Sequence, residues 1–193
     1  GFSQIITSVA EMCGVEIVVS LGSLLDAVPH TREVRVTGRA SSVELTQKVE
    51  WLGVSNSSYQ GPTGIHTAFW HACDQLGISN ASIWGHCPHY VNTSPNPKVS
   101  LALLTKLRSL ISFSADLGEL RIASETFEEE VTRAIEKEPS VGAYVKRLEE
   151  RYDASTAQVN EVPNPDEMVK ELEDFLKSQR QQTDQGDQTE RHS

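Results

Sequence analysis

Apolar residues in the first part of the chain alternate between a helical and a strand-like spacing. Residues 2–13 place an apolar stripe at helical intervals, and Gly14 follows as a stop signal. Residues 16–21, rich in Val and Ile, predict a buried strand, and residues 34–37 predict a short strand of alternating polarity. The chain is therefore expected to begin with a helix followed by two strands.

The next segment continues this alternation. Ser41 and Glu44 have the spacing of a capping box, which predicts the start of a helix. A further helix is predicted after Pro62 and another after Asn96, with a strand over residues 81–87 between them. Strands and helices that alternate at this spacing favour an α/β fold, namely a three-layer α/β/α sandwich with a mainly parallel sheet.

Near residue 114 the strand signals end, and three amphipathic helices follow. We predict an α/β sandwich domain over residues 1–113, an acidic helical appendage over 114–178 and a disordered tail over 179–193. Short isolated helices are marginal in water, so the appendage needs a surface to pack on, either the sheet domain or another subunit. An alternating α/β domain that opens on a helix also predicts an N-terminal strand that is missing from this sequence.

Charge and cysteine usage exclude several classes of protein. The net charge is −10, and the acidic excess lies after residue 113, where 20 Asp and Glu accompany 10 Lys and Arg. An acidic chain without a basic stripe repels phosphate backbones, and no apolar run is long enough to span a bilayer, so we expect no nucleic-acid or membrane partner. Three cysteines without a Cys-x-x-Cys pair argue against a disulfide framework or structural zinc, which favours a cytoplasmic protein.

Polar clusters follow two of the predicted strands and open two of the helices. The carboxyl ends of strands in open α/β sheets are where such folds usually build sites. We therefore predict one polar rim that binds a ligand or an interacting protein. This polar rim comprises His30, Thr31, Arg32, Gly61, Thr63, Gly64, His89, Tyr90, Asn96 and Lys98.

Two interpretations of the polar rim are open at this point. In the first, the helix start at Gly61–Gly64 binds an anion through free amides, Arg32 neutralises it, and His30 or His89 acts as acid or base. In the second, Arg32 pairs with Glu33 or with an acidic C-terminal helix, His30 only caps its turn, and the Gly-Pro pair is an ordinary helix entrance.

Other candidate chemistry is incomplete. Cys87 and His89 lie two apart on an extended chain and could pair as nucleophile and base, but a cysteine ending a buried strand is usually an apolar filler. His66 and His71 lie five apart on a helix and face different directions, which leaves too few ligands for zinc. The run Glu128–Glu130 is typical of a solvated helix face. The sequence therefore names no catalytic residue, no metal ligand and no cofactor.

Several short segments occur in an order typical of one protein family. They are Val28-Pro29-His30-Thr31-Arg32, Val36-Thr37-Gly38, Tyr59-Gln60-Gly61-Pro62-Thr63-Gly64-Ile65, Pro88-His89-Tyr90-Val91, Pro95-Asn96-Pro97-Lys98 and Asp116-Leu117-Gly118-Glu119-Leu120. Over roughly residues 5–152 the chain resembles the bacterial branch of the proteasome assembly chaperone family. The resemblance implies an α/β/α sandwich like that of nucleoside phosphorylases and peptidyl-tRNA hydrolases, with a helical C-terminal appendage. It also implies homo-oligomers such as trimers and, from the eukaryotic members that hold proteasome subunits, protein partners.

Two features depart from that family pattern. The Gly- and Trp-rich first strand and loop of such proteins are absent, so a site completed by that loop is incomplete here. Gly85-His86-Cys87 replaces the small apolar residues expected at this place, so Cys87 has no support as a family feature.

The sequence therefore predicts a self-associating protein-binding or assembly factor of this family, with no demonstrable catalysis. The basis is the resemblance, together with the lack of a complete triad, metal set or nucleotide loop in the sequence. The alternative is a small-molecule enzyme of nucleoside-phosphorylase or hydrolase type that binds an anionic ligand at the carboxyl ends of the strands.

Overall fold

The structure is a computed structural model that describes residues 1–56, 64–91 and 93–160. The helices and strands in these ranges are α1 (Phe2–Met12), β1 (Ile17–Asp26), β2 (Val36–Ala40), α2 (Val43–Trp51), β3 (Ser55–Asn56), α3 (Ile65–Gln75), β4 (Ser79–Pro88), α4 (Pro97–Ile111), α5 (Gly118–Ile135) and α6 (Pro139–Asn160).

The chain divides into two compact units, Gly1–Tyr152 and Asp153–Ser193. The first unit contains the sheet, and the described part of the second is the last portion of α6. The third C-terminal helix and the tail that the sequence predicts lie outside the described residues. The domain boundaries and the N-terminal strand stay predictions.

The four described strands form one open sheet in the order β1-β4-β2-β3. β1 and β4 are parallel, β2 and β3 are parallel, and β2 is antiparallel to β4. The sheet is thus mostly parallel and the α/β fold class is confirmed. β3 was not predicted, because two residues are too short to show a periodic pattern.

One face of the sheet carries the apolar core. Gly85 of β4 lies directly beneath α4, where a Cβ atom would overlap Val99 of that helix. Glycine at this position lets the helix approach the strand closely. The core combines buried residues of β2, α2, β4, α4 and the segment after α2, namely Val36, Leu45, Val49, Val54, Ala81, Ile83, Val99 and Leu103.

The opposite face is more polar and carries α1 and α3. Trp84 of β4 makes an edge contact with His66 of α3, with 5.0 Å between ring centroids. The guanidinium of Arg39 on β2 lies 4.2 Å from the ring centroid of Trp70 on α3, and α1 packs against α3. Because successive strand residues point to opposite faces, helices cover both sides of the sheet in three layers.

The start of α2 differs from the prediction by one residue. Ser42, not Ser41, caps the helix, and its Oγ accepts a hydrogen bond from the Leu45 amide at 3.2 Å. Ser41 Oγ instead accepts from the Asn80 amide at 2.9 Å. The capping role assigned to Ser41 was therefore wrong, because a contact with the start of β4 holds that hydroxyl.

Candidate functional site

Two parallel strands end side by side and bring much of the polar rim together. In the register of β1 and β4, Asp26 lies opposite Pro88. β2 runs the other way and begins at Val36, opposite Gly85, so the connection from β1 returns to the same edge. Asn96 caps α4 as predicted, and its side chain accepts from the Val99 amide at 3.1 Å. Seven predicted residues meet at this edge: His30, Thr31, Arg32, His89, Tyr90, Asn96 and Lys98.

All four polar atoms of His30 have partners. Its main-chain N–H donates to the Tyr90 hydroxyl at 2.8 Å, and its main-chain oxygen accepts from Lys98 Nζ. In the ring, Nδ1 lies 2.9 Å from the Tyr90 hydroxyl and Nε2 lies 3.1 Å from Thr132 Oγ1 of α5. His30, only 4% exposed, thereby connects a loop of the sheet to α4 and α5.

Lys98 strengthens the contact with α5. Its ammonium is bound to the Glu128 carboxylate as well as to the His30 main-chain oxygen. The side chain of Lys98 is 17% exposed, whereas that of Glu128 is 38% exposed. One turn later on α5, the Thr132 hydroxyl donates to the Glu128 main-chain oxygen at 2.8 Å.

Thr31 and Arg32 make the corresponding contact with α6. The Thr31 hydroxyl donates to Glu149 Oε1, and Arg32 Nη1 lies 3.5 Å from the same carboxylate oxygen. The second interpretation of Arg32, a pair with an acidic C-terminal helix, is thus the arrangement found. The Glu149 carboxylate thus supplies a negative charge beside Arg32.

Aromatic rings complete the contact between the polar rim and α6. His89 Nδ1 lies 3.0 Å from the Asp26 main-chain oxygen, and His89 Nε2 lies 3.4 Å from the Tyr144 hydroxyl. Tyr90 and Tyr144 meet edge to face, with 6.3 Å between centroids. Burial raises the pKa of Tyr90 to about 12, so this hydroxyl keeps its proton at neutral pH.

Sequence reasoning missed a buried polar chain beside the rim. His86 Nδ1 lies 2.7 Å from Asp26 Oδ2, and His86 Nε2 lies 2.9 Å from Thr37 Oγ1. Burial acts to raise the pKa of Asp26, but hydrogen bonds from His86 and the Ala27 amide, together with the nearby charges of His86 and Arg35, outweigh it and hold that pKa below its usual value. The three side chains come from three strands, so no sequence spacing links them. The available signal was Asp26, an acidic residue at the end of the apolar run of β1.

The cavity at the polar rim is small. Its lining includes His30, Arg32, His86, Asn96 and Lys98, and the space open to the centre of a water-sized sphere is about 10 Å³. That volume holds about one water molecule. Chemically, the described arrangement ties α5 and α6 to the edge of the sheet.

The remaining predicted features are the Gly61–Gly64 segment and the thiol of Cys87. Gly61 and Thr63 lie outside the described residues. Gly64 begins α3 and does not line the cavity. Burial raises the pKa of the Cys87 thiol, although a hydrogen bond with Ser23 acts against this, so the thiolate needed for a nucleophile is disfavoured.

Two classes of feature were not found in the part of the chain that the structure describes. No three or more His, Cys, Asp or Glu side chains there are grouped so that they could hold a metal ion. In the same ranges, no helix combines the length and apolar character needed to cross a membrane.

Comparison with known proteins supports the family that the sequence motifs indicate. The model of the PAC2 family matches residues 1–135, well over half of the chain. The chain belongs to the PAC2 family. Together with the bacterial structures described below, this match confirms the resemblance to the bacterial proteasome assembly chaperone family. No curated protein matches the chain.

Solved structures of the family share the fold. A PAC2 family protein from Streptomyces avermitilis is 38% identical with a TM-score of 0.66, and the match covers 75% of this chain and 59% of that one. A proteasome-assembly chaperone homologue from Mycobacterium tuberculosis is 35% identical with a TM-score of 0.65, over 75% and 60%. PbaA from Pyrococcus furiosus, 21% identical with a TM-score of 0.54 over 72% and 61%, shares the fold. This chain spans about three fifths of the length of these three proteins.

Proposed function

We propose that this PAC2 chain is a protein-binding assembly factor that self-associates, acts in the cytoplasm and catalyses no reaction at its polar rim. The observation that carries the proposal is that the chain's own helices occupy the rim: Thr132 contacts His30, Glu128 contacts Lys98, and Glu149 contacts Thr31. A relative named as a proteasome-assembly chaperone homologue, 35% identical over 75% of the chain, supports the same kind of role.

The surface that supports self-association lies on α1. Phe2, Ile5, Val9 and Met12 fall on one helical stripe, and each is more than half exposed. Contiguous exposed apolar side chains mark surfaces that bind other proteins. We therefore assign the contact between copies of the chain to the α1 stripe.

The oligomeric state of the full chain tests this assignment. Size-exclusion chromatography with light scattering is expected to show an oligomer, such as a trimer, that Ile5→Glu reduces to monomer. Ile122→Glu is the matched control, because Ile122 on α5 is 65% exposed and Ile5 is 67% exposed. A monomeric wild type, or equal dissociation by both variants, would contradict the assignment.

The second candidate function is the small-molecule enzyme of nucleoside-phosphorylase or hydrolase type. One observation favours it, since His30, Arg32 and Lys98 line the same cavity. The small volume and the carboxylates already facing Arg32 and Lys98 argue against it. Thermal-shift titration with inorganic phosphate, nucleosides and nucleotides separates the two candidates. The assembly proposal predicts no stabilisation, whereas stabilisation that Arg32→Gln abolishes would favour the enzyme.

A further inference from the structure

One neutral tautomer of the His30 ring satisfies all of its hydrogen-bond partners. The His30 main-chain N–H donates to the Tyr90 hydroxyl at 2.8 Å, and in this tautomer the hydroxyl donates its proton to Nδ1 at 2.9 Å. Nε2 then carries the ring proton and donates to Thr132 Oγ1 at 3.1 Å. Thr132 passes its own proton to the Glu128 main-chain oxygen at 2.8 Å. Every donor in this chain has an acceptor only when the His30 ring is neutral.

A proton added at Nδ1 disrupts this arrangement. The Tyr90 oxygen would then face two donors from His30, its main-chain N–H and Nδ1–H, and the hydroxyl proton would lose its acceptor. A buried donor without an acceptor, together with a buried charge, destabilises the closed contact. His30 is 4% exposed, so a charge added to its ring would be poorly hydrated.

Charged groups face His30 from each helix that closes the rim. α4 supplies the Lys98 ammonium, α5 the Glu128 carboxylate and α6 the Glu149 carboxylate. Burial has the largest effect and lowers the pKa of His30; Glu128 and Glu149 act to raise it, and Lys98 acts to lower it. The balance favours the neutral ring while the helices are in place.

We propose that His30 is a pH-sensitive latch that holds α5 on the polar rim at neutral pH and releases it in acid. In the released state the ring is exposed and takes up a proton as an ordinary histidine does. By linkage, the equilibrium constant for release rises by at most about tenfold for each pH unit below about 6.5. Release uncovers Lys98, the cation that faces α5 in the closed state.

Hydrogen exchange of the full chain at pH 7.5 and pH 5.5, corrected for intrinsic exchange rates, tests the latch. In the wild type, protection of α5 amides around Thr132 is expected to fall severalfold at the lower pH. In His30→Gln the fall is expected to disappear, because the glutamine amide can donate to Thr132 but does not titrate. His71→Gln, an exposed histidine on α3, is the control and keeps the fall. An equal fall in His30→Gln, or none in the wild type, would overturn the proposal.

A measurement on the wild type alone keeps the proposal testable if His30→Gln does not fold. Nitrogen-15 spectra of the His30 ring at pH 7.5 are expected to show the neutral form protonated at Nε2. A form protonated at Nδ1, or a charged ring at that pH, would overturn the latch, since either state contradicts the hydrogen-bond directions on which it depends.

Discussion

The His30 ring Nε2 lies 3.1 Å from Thr132 Oγ1, a contact between residues 102 positions apart in the sequence. It joins the connection between β1 and β2 to α5, and therefore joins the edge of the sheet to the acidic C-terminal helices. The PAC2 polar rim is thus an internal contact surface in this structure. The contacts of Lys98 with Glu128 and of Thr31 with Glu149 extend it along α5 and α6.

Removal of the Thr132 hydroxyl should weaken the fold. Thr132→Val is expected to lower the free energy of unfolding by about 1–3 kcal/mol, because the Nε2–H of buried His30 loses its acceptor. Urea denaturation at pH 7.5 measures the change. Thr105→Val is the matched control: Thr105 also donates to the carbonyl four residues earlier, at 2.7 Å, but is exposed. An equal loss in both variants would show that the contact with His30 is not responsible.

The ion pair of Lys98 should contribute more than an exposed pair. Lys98→Met is expected to cost about 1–3 kcal/mol of unfolding free energy, since it leaves Glu128 and the His30 main-chain oxygen without their cation. Lys48→Met disrupts the exposed pair with Glu44 and is expected to cost less than about 0.5 kcal/mol. Denaturant unfolding of both variants at one salt concentration measures the two changes. Similar losses of unfolding free energy in the two variants would mean that the partly buried location of Lys98 does not strengthen its ion pair.

Tyr90 should make the fold sensitive to alkali. Its pKa is raised to about 12 in the folded protein, whereas an unperturbed tyrosine titrates near 10. The unfolded chain therefore loses this proton first, so stability is fully present below about pH 10 and falls as pH rises toward 12. Unfolding free energies measured between pH 9 and 12 should show this loss in the wild type and in Tyr144→Phe, but less of it in Tyr90→Phe. An identical profile in Tyr90→Phe would contradict the assignment.

Asp26 should make the stability of the fold decrease as pH falls into the acid range. Its pKa lies below the ordinary value, so the unfolded chain binds the proton first as pH falls. The contribution of this carboxylate is therefore present above about pH 4 and is lost as pH falls through the folded pKa. Asp26→Asn should destabilise the protein at pH 7, and its difference from the wild type should shrink below pH 4. A difference that stays constant with pH would show that the loss of charge is not the cause.

Much of the fold could be predicted because its signals are local. The stripe of α1, the Val-rich start of β1 and the cap of α4 at Asn96 each depend on residues within a few positions of one another. The grouping of His30 with Tyr90 also followed from a general rule, since parallel strands end at the same edge of a sheet.

Other features had no local signal. β3 is two residues long, and the antiparallel pairing of β2 with β4 depends on how the strands pack, not on their composition. Ser41 and Ser42 offer the same hydroxyl, and only the position of Asn80 decides which of them caps α2. The hydrogen bonds of His86 with Asp26 and Thr37 also cross strands that are distant in sequence.

The sequence by itself determined the alternation of helices and strands, the place where strands give way to helices, and the motifs that identify the PAC2 family. Those properties follow from short-range periodicity and from the order of residues along the chain. Only the tertiary structure decided that Glu128, Thr132 and Glu149 would occupy the polar rim. Which carboxylate or hydroxyl meets a given histidine, lysine or threonine depends on helix packing over separations of 30 to 118 residues, and no local pattern encodes it.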